Sequence, residues 1–253
     1  MVGLIPPYSS ALERATSAIS VAHAEFGASL AVLTSFQREG VVMIDLAFQT
    51  LGAVRVITID TGRLPAATHE MIRTIEDRYG ISVERILPDS AEVEAMVSTH
   101  GKDLFYDAVP LRNLCCNVRK VRPLARALEG LGAYFTGLRR EQSETRKDVD
   151  VFDRSATPVK INALADWMAA DVAAYTSEHR LPESRLYAEG YTSIGCDPCT
   201  RATEAGEDER AGRWWWETDE ARECGLHFSP TGKVERTVDV LLREILEKVK
   251  ANA

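Results

Sequence analysis

Apolar positions along the chain follow two spacings, one helical and one strand-like. Residues 11–26 repeat apolar side chains every three or four positions behind Ser9 and Ser10, which predicts a capped amphipathic helix. The short apolar runs at 30–34 and 54–60 are typical of buried strands. The further predicted elements up to about residue 160 are helices at 41–51, 67–79, 91–99 and 117–129 and strands at 81–87 and 133–138. This alternation favours an α/β fold, a mostly parallel sheet with helices on both faces.

The alternation of predicted strands and helices becomes weaker in the last third of the chain. A helix is predicted at 164–179, and the charged segment 200–223 indicates a loop or flap. Residues 231–250 predict a strong terminal helix, because six apolar side chains fall on one of its faces. We therefore expect an α/β domain over residues 1–200, and a flap followed by a terminal helix over 201–253.

Composition excludes several classes of protein. The 253 residues are 45% hydrophobic and 27% charged, as in ordinary globular proteins. A net charge of −8 argues against a general nucleic-acid-binding protein. The sequence has neither a signal-peptide pattern at its start nor an apolar run near the ~20 residues of a membrane span. We expect a cytoplasmic protein without a membrane partner, in which thiols stay reduced.

Four of the five cysteines occur in two pairs. Cys115 and Cys116 are adjacent, and Cys196 and Cys199 form a C-x-x-C. Four thiolates suit either zinc or an iron–sulfur cluster, and spacing alone leaves both open, together with unligated core cysteines. Adjacent cysteines cannot both face one way on a regular helix or strand. We therefore expect irregular backbone around a bound centre at the first pair, or one buried structural cysteine.

Cys224 is left outside the two pairs. It lies in the segment Glu-Cys-Gly-Leu-His, three residues before His227, and Arg210 and Arg213 are near in sequence. Positive neighbours stabilise a thiolate, which favours a nucleophile over a buried small side chain. His227 either tunes this thiol or is simply exposed.

Three groups of basic residues follow predicted strand ends or lie on the flap. Solvated helix faces would explain any one of them, whereas their positions together favour an anion site at the carboxyl edge of the sheet. The turn at 35–40 joins a strand to a helix, so its amides could hold a phosphate or sulfate, although it is not a Walker A loop. The groups are Arg119, Lys120, Arg122 and Arg126; Arg139, Arg140, Arg146 and Lys147; and Arg210 and Arg213.

Seven segments together resemble the adenylylsulfate/phosphoadenylylsulfate reductase family, in its iron–sulfur branch. The joint occurrence of CC, C-x-x-C and ECGLH in this order is highly specific. The resemblance implies an adenine-nucleotide α-hydrolase-like fold of the PP-loop type. The segments are SFQREG (35–40), TIDTGRLP (58–65), CCNVRKVRPL (115–124), TGLRREQSETR (136–146), GCDPCTRA (195–202), ERAGRWWWE (209–217) and ECGLH (223–227).

The resemblance also implies roles for individual residues. Cys224 matches the catalytic cysteine, and His227 matches the last residue of its motif. Ser35 and the loop of Asp60, Thr61 and Gly62 match nucleotide-holding segments. The residues matching contacts to the phosphosulfate group are Lys120, Arg146, Arg210 and Arg213, and those matching the ligands of a [4Fe–4S] cluster are Cys115, Cys116, Cys196 and Cys199.

The implied activity is the reduction of adenylylsulfate to sulfite and AMP through a Cys224 S-sulfo intermediate, in sulfate assimilation and cysteine biosynthesis. Without a thioredoxin-like extension, the reductant is expected to be a separate thioredoxin or a glutaredoxin-like donor. Alternatives are a preference for the 3′-phosphorylated nucleotide, a non-catalytic iron–sulfur sensor, or an adenylating ATPase of related fold.

The chain departs from the family pattern in two places. Its first turn lacks the Ser-Gly-Gly of many relatives, and it continues beyond ECGLH for about one further helix. This helix is expected either to pack on the body of the protein or to make a homo-oligomer contact.

Overall fold

The computed structural model describes residues 8–143, 146–217 and 233–251, and in the last segment its side chains are described from residue 237. The chain divides into two compact units that are each discontinuous in sequence. The first unit comprises Met1–Thr58, Ala66–Glu84 and Leu128–Ala188, and the second comprises Ile59–Pro65, Arg85–Ala127 and Glu189–Ala253. The division expected from the sequence, 1–200 and 201–253, stays a prediction.

The first unit contains the sheet and the helices that pack on it. Its hydrophobic core is built from β-branched and aliphatic side chains such as Val32, Ile44 and Ile72, all fully buried. In chain order, the elements that lie in this unit or begin in it are α1 (Tyr8–Phe26), β1 (Leu30–Leu33), α2 (Arg38–Leu51), β2 (Val56–Ile59), α3 (Ala66–Tyr79), β3 (Val83–Ile86), β4 (Ala133–Phe135), β5 (Phe152–Asp153), β6 (Val159–Ile161) and α7 (Ala169–Glu178).

Among the described residues, six strands form one sheet in the order β3-β2-β1-β4-β6-β5. β1 pairs in parallel with β2 and β4, β4 pairs in parallel with β6, and only the short β5 pairs antiparallel with β6. Val32 of β1 lies opposite Phe135 of β4, so the loops that follow these two strands leave the same edge of the sheet. The predicted α/β fold with a mostly parallel sheet is confirmed.

The second unit has a separate hydrophobic core, in which Cys115 and Cys199 are buried beside Leu114, Val118 and Trp214. A helical stretch runs through Cys115 and Cys116 and continues as one π-helical segment, Asn117–Val121. The helices of this unit are α4 (Ser90–His100), α5 (Val109–Cys116), α6 (Arg122–Leu128), of which the last residue falls in the first unit, and α8 (Lys233–Ala251).

Several element boundaries predicted from the sequence were wrong. α2 begins at Arg38 rather than at residue 41, because a turn of only four residues, with Phe36 in the left-handed region, joins it to β1. The helix predicted at 117–129 is preceded by the separate helix α5, and α7 begins at Ala169 rather than at 164. β5 and β6 were not predicted, since two or three residues are too few to show a period.

Candidate functional site

The turn after β1 holds its backbone in an unusual conformation. Phe36 has φ of 60°, in the left-handed region that non-glycine residues rarely adopt, and its side chain is buried. Its amide donates a hydrogen bond to Thr34 Oγ1 at 2.9 Å. Ser35 is exposed at the top of the turn and its hydroxyl accepts from Gln37 Nε2 at 3.2 Å. A strained turn of this kind, between a strand and a helix N-terminus, is typical of ligand-binding loops.

A chain of polar contacts joins this turn to the loop after β4. Glu39, in the first turn of α2, accepts from Arg139 Nε at 3.0 Å and from Gln142 Nε2 at 3.2 Å. Arg146 Nη1 in turn donates to Gln142 Oε1 at 2.5 Å. The predicted anion-binding residue Arg146 therefore belongs to the same network as the start of α2. Arg139 is almost fully buried and is held by this ion pair, so it serves structure.

Lys160 on β6 is a second cation near Arg146, and the sequence analysis did not identify it. Burial lowers the pKa of its ammonium group; the Asp153 carboxylate opposes that shift and the charge of Arg146 adds to it. Because β6 was not recognised as a strand, nothing in the sequence indicated that Lys160 would lie beside this loop. Two cations whose charges interact at the carboxyl edge of a sheet attract an anion.

In the second unit, the loop after β2 lies against the C-x-x-C segment. The Gly62 amide donates to Asp60 Oδ1 at 3.0 Å, which closes a tight turn with Gly62 at φ of 70°. Thr61 Oγ1 and Cys196 Sγ are 3.2 Å apart, within hydrogen-bonding distance. Arg119 Nη1 donates to the Thr61 carbonyl at 2.9 Å. Three segments that the sequence left far apart are thus brought together: the Asp60–Gly62 turn, the π-helical segment and the C-x-x-C.

The four paired cysteines are free thiols that share this region of the second unit. Cys115 and Cys199 are buried, and Cys116 and Cys196 are half-buried in contact with the same core. Both cysteines of the first pair lie in the regular helix α5, and the backbone becomes π-helical only from Asn117, so the irregular backbone predicted at the adjacent cysteines themselves was wrong. Within residues 8–143, 146–217 and 233–251, no three His, Cys, Asp or Glu side chains are grouped closely enough to hold a metal ion.

Arginine charges oppose the effect of burial on these thiols. Burial raises the pKa of Cys115 to about 11, and the charges of Arg119 and Arg63 counteract the rise. Burial raises the pKa of Cys199 to about 12, and Arg213 and Arg112 counteract it there. The overall pKa shift is upward for both thiols, so the arginine charges only offset part of the effect of burial. The thiolate form that a metal ligand requires would come from displacement of the thiol proton by a bound centre.

Arg112 and Glu217 form a buried ion pair in the same unit as the paired cysteines, which sequence reasoning missed. Their side chains are only 2% and 4% exposed, and two hydrogen bonds of 2.8 and 2.9 Å join them. Arg112 also lies over the ring of Trp214 at 4.6 Å. Trp214 is fully buried, and its indole Nε1 has no hydrogen-bond partner among the described residues. A buried donor without a partner is costly, which indicates an acceptor that binds at this site.

Three of the four basic residues that were expected to contact the phosphosulfate group, Lys120, Arg210 and Arg213, also lie in the second unit. Lys120 is half-buried in the π-helical segment, and Arg210 is half-buried before the bridge between Thr200 and Arg213. Arg213 is 9% exposed, and its guanidinium occupies the space that a side chain at Gly195 would fill. Arg213 is therefore positioned beside the C-x-x-C segment, whereas Ser35 and Arg146 lie in the first unit.

The catalytic candidates Cys224 and His227 lie outside the described residues.

Comparison with known proteins extends these observations. The chain is 47% identical over 207 residues to a protein of Allochromatium vinosum named adenosine 5′-phosphosulfate reductase, covering 80% of this chain and 81% of that one. A solved phosphoadenylyl-sulfate reductase from Candida auris, in a phosphate complex, is 28% identical with a TM-score of 0.63, covering 74% of this chain and 90% of that one.

A more distant similarity concerns the fold alone. The FMN adenylyltransferase of Candida glabrata superposes with a TM-score of 0.54 at 13% identity, covering 95% of this chain and 80% of that one. Residues 29–202 match the family described as the phosphoadenosine phosphosulfate reductase domain. With most of its length in this match and with a relative at 47% identity, the chain belongs to the phosphoadenosine phosphosulfate reductase family.

Proposed function

We propose that this protein reduces adenylylsulfate to sulfite and AMP, with electrons from the dithiol of a thioredoxin or a glutaredoxin-like protein, in the cytosolic assimilation of sulfate. The observation that carries the proposal is the 47% identity to the Allochromatium vinosum protein over four fifths of both chains. The cationic residues near the two nucleotide-holding segments support it, because the substrate is a dianion. The described residues contain no helix that is long and apolar enough to cross a membrane.

In the first step, the Cys224 thiolate attacks the sulfur of the phosphosulfate. A bond forms between Cys224 Sγ and this sulfur, and the bond from the sulfur to the bridging phosphate oxygen breaks. The electron pair of the broken bond leaves on AMP, and Cys224 carries an S-sulfo group. Cys224 is the one cysteine outside the two pairs, so its assignment does not compete with metal binding.

In the second step, a thiolate of the donor protein attacks Cys224 Sγ. The sulfur–sulfur bond to the sulfo group breaks, and sulfite leaves with the electron pair. The resulting mixed disulfide is resolved by the second thiol of the donor, which ends as a disulfide. Two electrons thus pass from the dithiol to the sulfur that becomes sulfite.

Cations are needed because an anionic nucleophile must approach an anionic substrate. Lys120, Arg146, Arg210 and Arg213 are proposed to neutralise the phosphosulfate, and His227 to tune Cys224. Ser35 and the Asp60–Gly62 turn are proposed to hold the nucleotide. Electrostatic stabilisation of this kind lowers the barrier only if the charges are already in place, which the burial of Arg213 favours.

We propose that Cys115, Cys116, Cys196 and Cys199 hold a [4Fe–4S] cluster. The donors would be four free thiols that lie in or against one hydrophobic core, and the charge of the arginines near them is opposite to that of a thiolate-ligated cluster. The unpartnered Trp214 Nε1 is a donor suited to a sulfur acceptor. When bound, the cluster would supply charge and rigidity next to Lys120 rather than electrons.

The unphosphorylated nucleotide is the proposed substrate because neither arginine on the nucleotide-holding loops is available for a 3′-phosphate. Arg38 forms an ion pair with Glu183 and stacks at 3.9 Å over the ring of Tyr187. Arg63 donates to the Lys102 carbonyl at 2.5 Å and to Asp103 Oδ1 at 2.8 Å. A buried phosphate would need such charged donors.

Anaerobic release of sulfite from adenylylsulfate, with and without thioredoxin, tests the proposed reaction. We expect sulfite only when the donor is present and only with Cys224 intact. If a Cys224→Ser protein retained the same rate, the two-step mechanism would be wrong. If the unmodified protein bound adenylylsulfate without any turnover, the non-catalytic sensor would be the better description.

A further inference from the structure

The terminal helix α8 is an integral part of the second unit. Ile245 on this helix is fully buried and Val238 is 6% exposed, whereas Val240 on the opposite face is 52% exposed. The buried positions join the hydrophobic core formed by α4 and α5. Of the two expectations for this helix, packing on the body of the protein is the one that the structure shows. The partly buried side chains that widen the stripe are Leu241, Leu242 and Val249.

This core is the one in which the cysteines lie. Ile245 belongs to the same cluster of buried residues as Cys115, Cys199 and Trp214. α5, which ends in Cys115 and Cys116, is one of the two helices that α8 contacts most extensively. Apolar side chains from α8 are therefore part of the hydrophobic core that surrounds the paired cysteines.

The C-terminal end of α8 is also fastened by a polar contact. Lys248 Nζ donates to Thr99 Oγ1 at 2.8 Å, and Thr99 in turn donates to the Ala95 carbonyl at 2.6 Å. A lysine in the last turn of a helix also interacts favourably with the helix dipole. The helix is thus held to the end of α4 beyond its apolar stripe, as a fixed wall requires.

We infer that α8 is a protective wall of the core that contains the paired cysteines, with Ile245 as the residue that keeps oxidants and chelators away from the metal centre proposed to bind these cysteines. The inference rests on the proposed iron–sulfur cluster. It assigns to the helix the retention of the cluster and not the chemistry of sulfur transfer. Ile245 would therefore act through the packing of the core around the cysteines, and it takes no part in the reaction itself.

The test measures how fast iron leaves the holoprotein. Anaerobically purified protein is transferred to air-saturated buffer containing excess ferrozine, and the visible absorption and the released iron are followed. Ile245→Ala should lose its cluster about threefold faster or more, because local openings of a loosened wall become more frequent. Its initial iron content and its anaerobic kcat should match those of the unmodified protein.

Three further variants keep the test specific. Val240→Ala changes the exposed face of the same helix, and Ile75→Ala removes an equally buried side chain from the core of the first unit. Both should release iron at the unmodified rate. Ile245→Val, which removes one methyl group, should show a smaller acceleration in the same direction and serves if the alanine variant does not fold.

The outcomes separate the two proposals. Equal release rates for Ile245→Ala, Ile245→Val and Val240→Ala in iron-loaded proteins would refute the protective wall and leave the proposed function intact. Acceleration by Ile75→Ala as large as that by Ile245→Ala would refute it as well, since the effect would be one of global stability. An unmodified protein that carries no iron and sulfide would refute the proposed cluster and the wall together.

Discussion

At the scale of single residues, the ion pair between Arg112 and Glu217 stands out because both side chains are almost fully buried, in the unit that also contains the paired cysteines. Such a pair adds little to the free energy of unfolding when it is compared with two apolar side chains in the same place. Removal of one partner, however, leaves the other charge buried without a counter-charge. The pairing was not predictable, since 105 positions separate its members and Arg112 lies in no recognised motif.

Arg112→Met should therefore lower the free energy of unfolding by about 3–5 kcal/mol, because Glu217 would remain buried without a counter-charge. Urea denaturation of the metal-free protein measures this. Arg55→Met is the matched control: Arg55 makes the same two-point contact with Glu84, at 2.6 and 2.8 Å, but both side chains are more than 40% exposed. The control should cost less than about 1 kcal/mol. Equal losses in the two variants would contradict the account.

Variants of single residues also test the proposed preference for the unphosphorylated nucleotide. We expect a higher kcat/KM for adenylylsulfate than for its 3′-phosphorylated form, measured in parallel assays. We expect Arg38→Ala to leave the ratio of the two values unchanged within about twofold, because its guanidinium is already held by Glu183 and Tyr187. A ratio near one that rises in Arg38→Ala would show instead that Arg38 binds the 3′-phosphate. Arg63→Ala is the corresponding test for the other loop.

At the scale of elements, the turn Asp60–Gly62, which is proposed to hold the nucleotide, contacts the C-x-x-C segment through Thr61 and Cys196. Gly62→Ala should cost about 1–2 kcal/mol of stability, because a side chain is strained at φ of 70°. A Cβ there would meet only Arg119 Nη1, at 3.4 Å, so the cost comes from the backbone. We also expect the KM for adenylylsulfate to rise, since the turn would shift away from its Asp60 contact.

Gly80→Ala provides the matched control for that prediction. Gly80 has φ of 62° after α3, and a Cβ there would meet no atom within 4 Å. The control should lose similar stability in thermal unfolding and keep its KM. A KM that rises equally in both variants would mean that the Asp60–Gly62 turn has no special role in binding.

The elements predicted well from the sequence are those with a clear period. α1, α3, α4 and α8 and the first three strands appeared close to their predicted positions, because each carries several apolar residues at one spacing. α5 was missed because it has eight residues, starts with a proline in its first turn and buries Arg112 and Asn113. Arg112 is buried because it pairs with Glu217, and a periodic pattern of apolar residues does not predict such a pair.

At the scale of the whole molecule, the candidate site residues are divided between two units, each of which has its own hydrophobic core. One core lies in the sheet unit with Ser35 and Arg146, and the other contains the cysteines. The sequence indicated the residue types of the site through its motifs. It did not indicate the second core, because Cys115, Cys199, Trp214 and Ile245 meet only through long-range packing.

The metal content of the intact protein tests the cysteine core. Anaerobically purified protein should be brown and carry about four iron and four sulfide per chain, the content of a cluster held by four cysteines. Cys115→Ser or Cys199→Ser should remove the colour and the activity together, whereas Cys224→Ser should keep the colour. Stoichiometric zinc without sulfide would contradict the proposed cofactor.

The central claim is that Cys224 carries the sulfo group, and mass spectrometry tests it most directly. Holoprotein is incubated anaerobically with adenylylsulfate and no thiol donor, and the intact chain and its peptides are then weighed. The account predicts one added sulfo group, located on Cys224, its release as sulfite on addition of thioredoxin, and no adduct in Cys224→Ser protein. An adduct on any of the paired cysteines, or sulfite released from Cys224→Ser protein at the native rate, would contradict it.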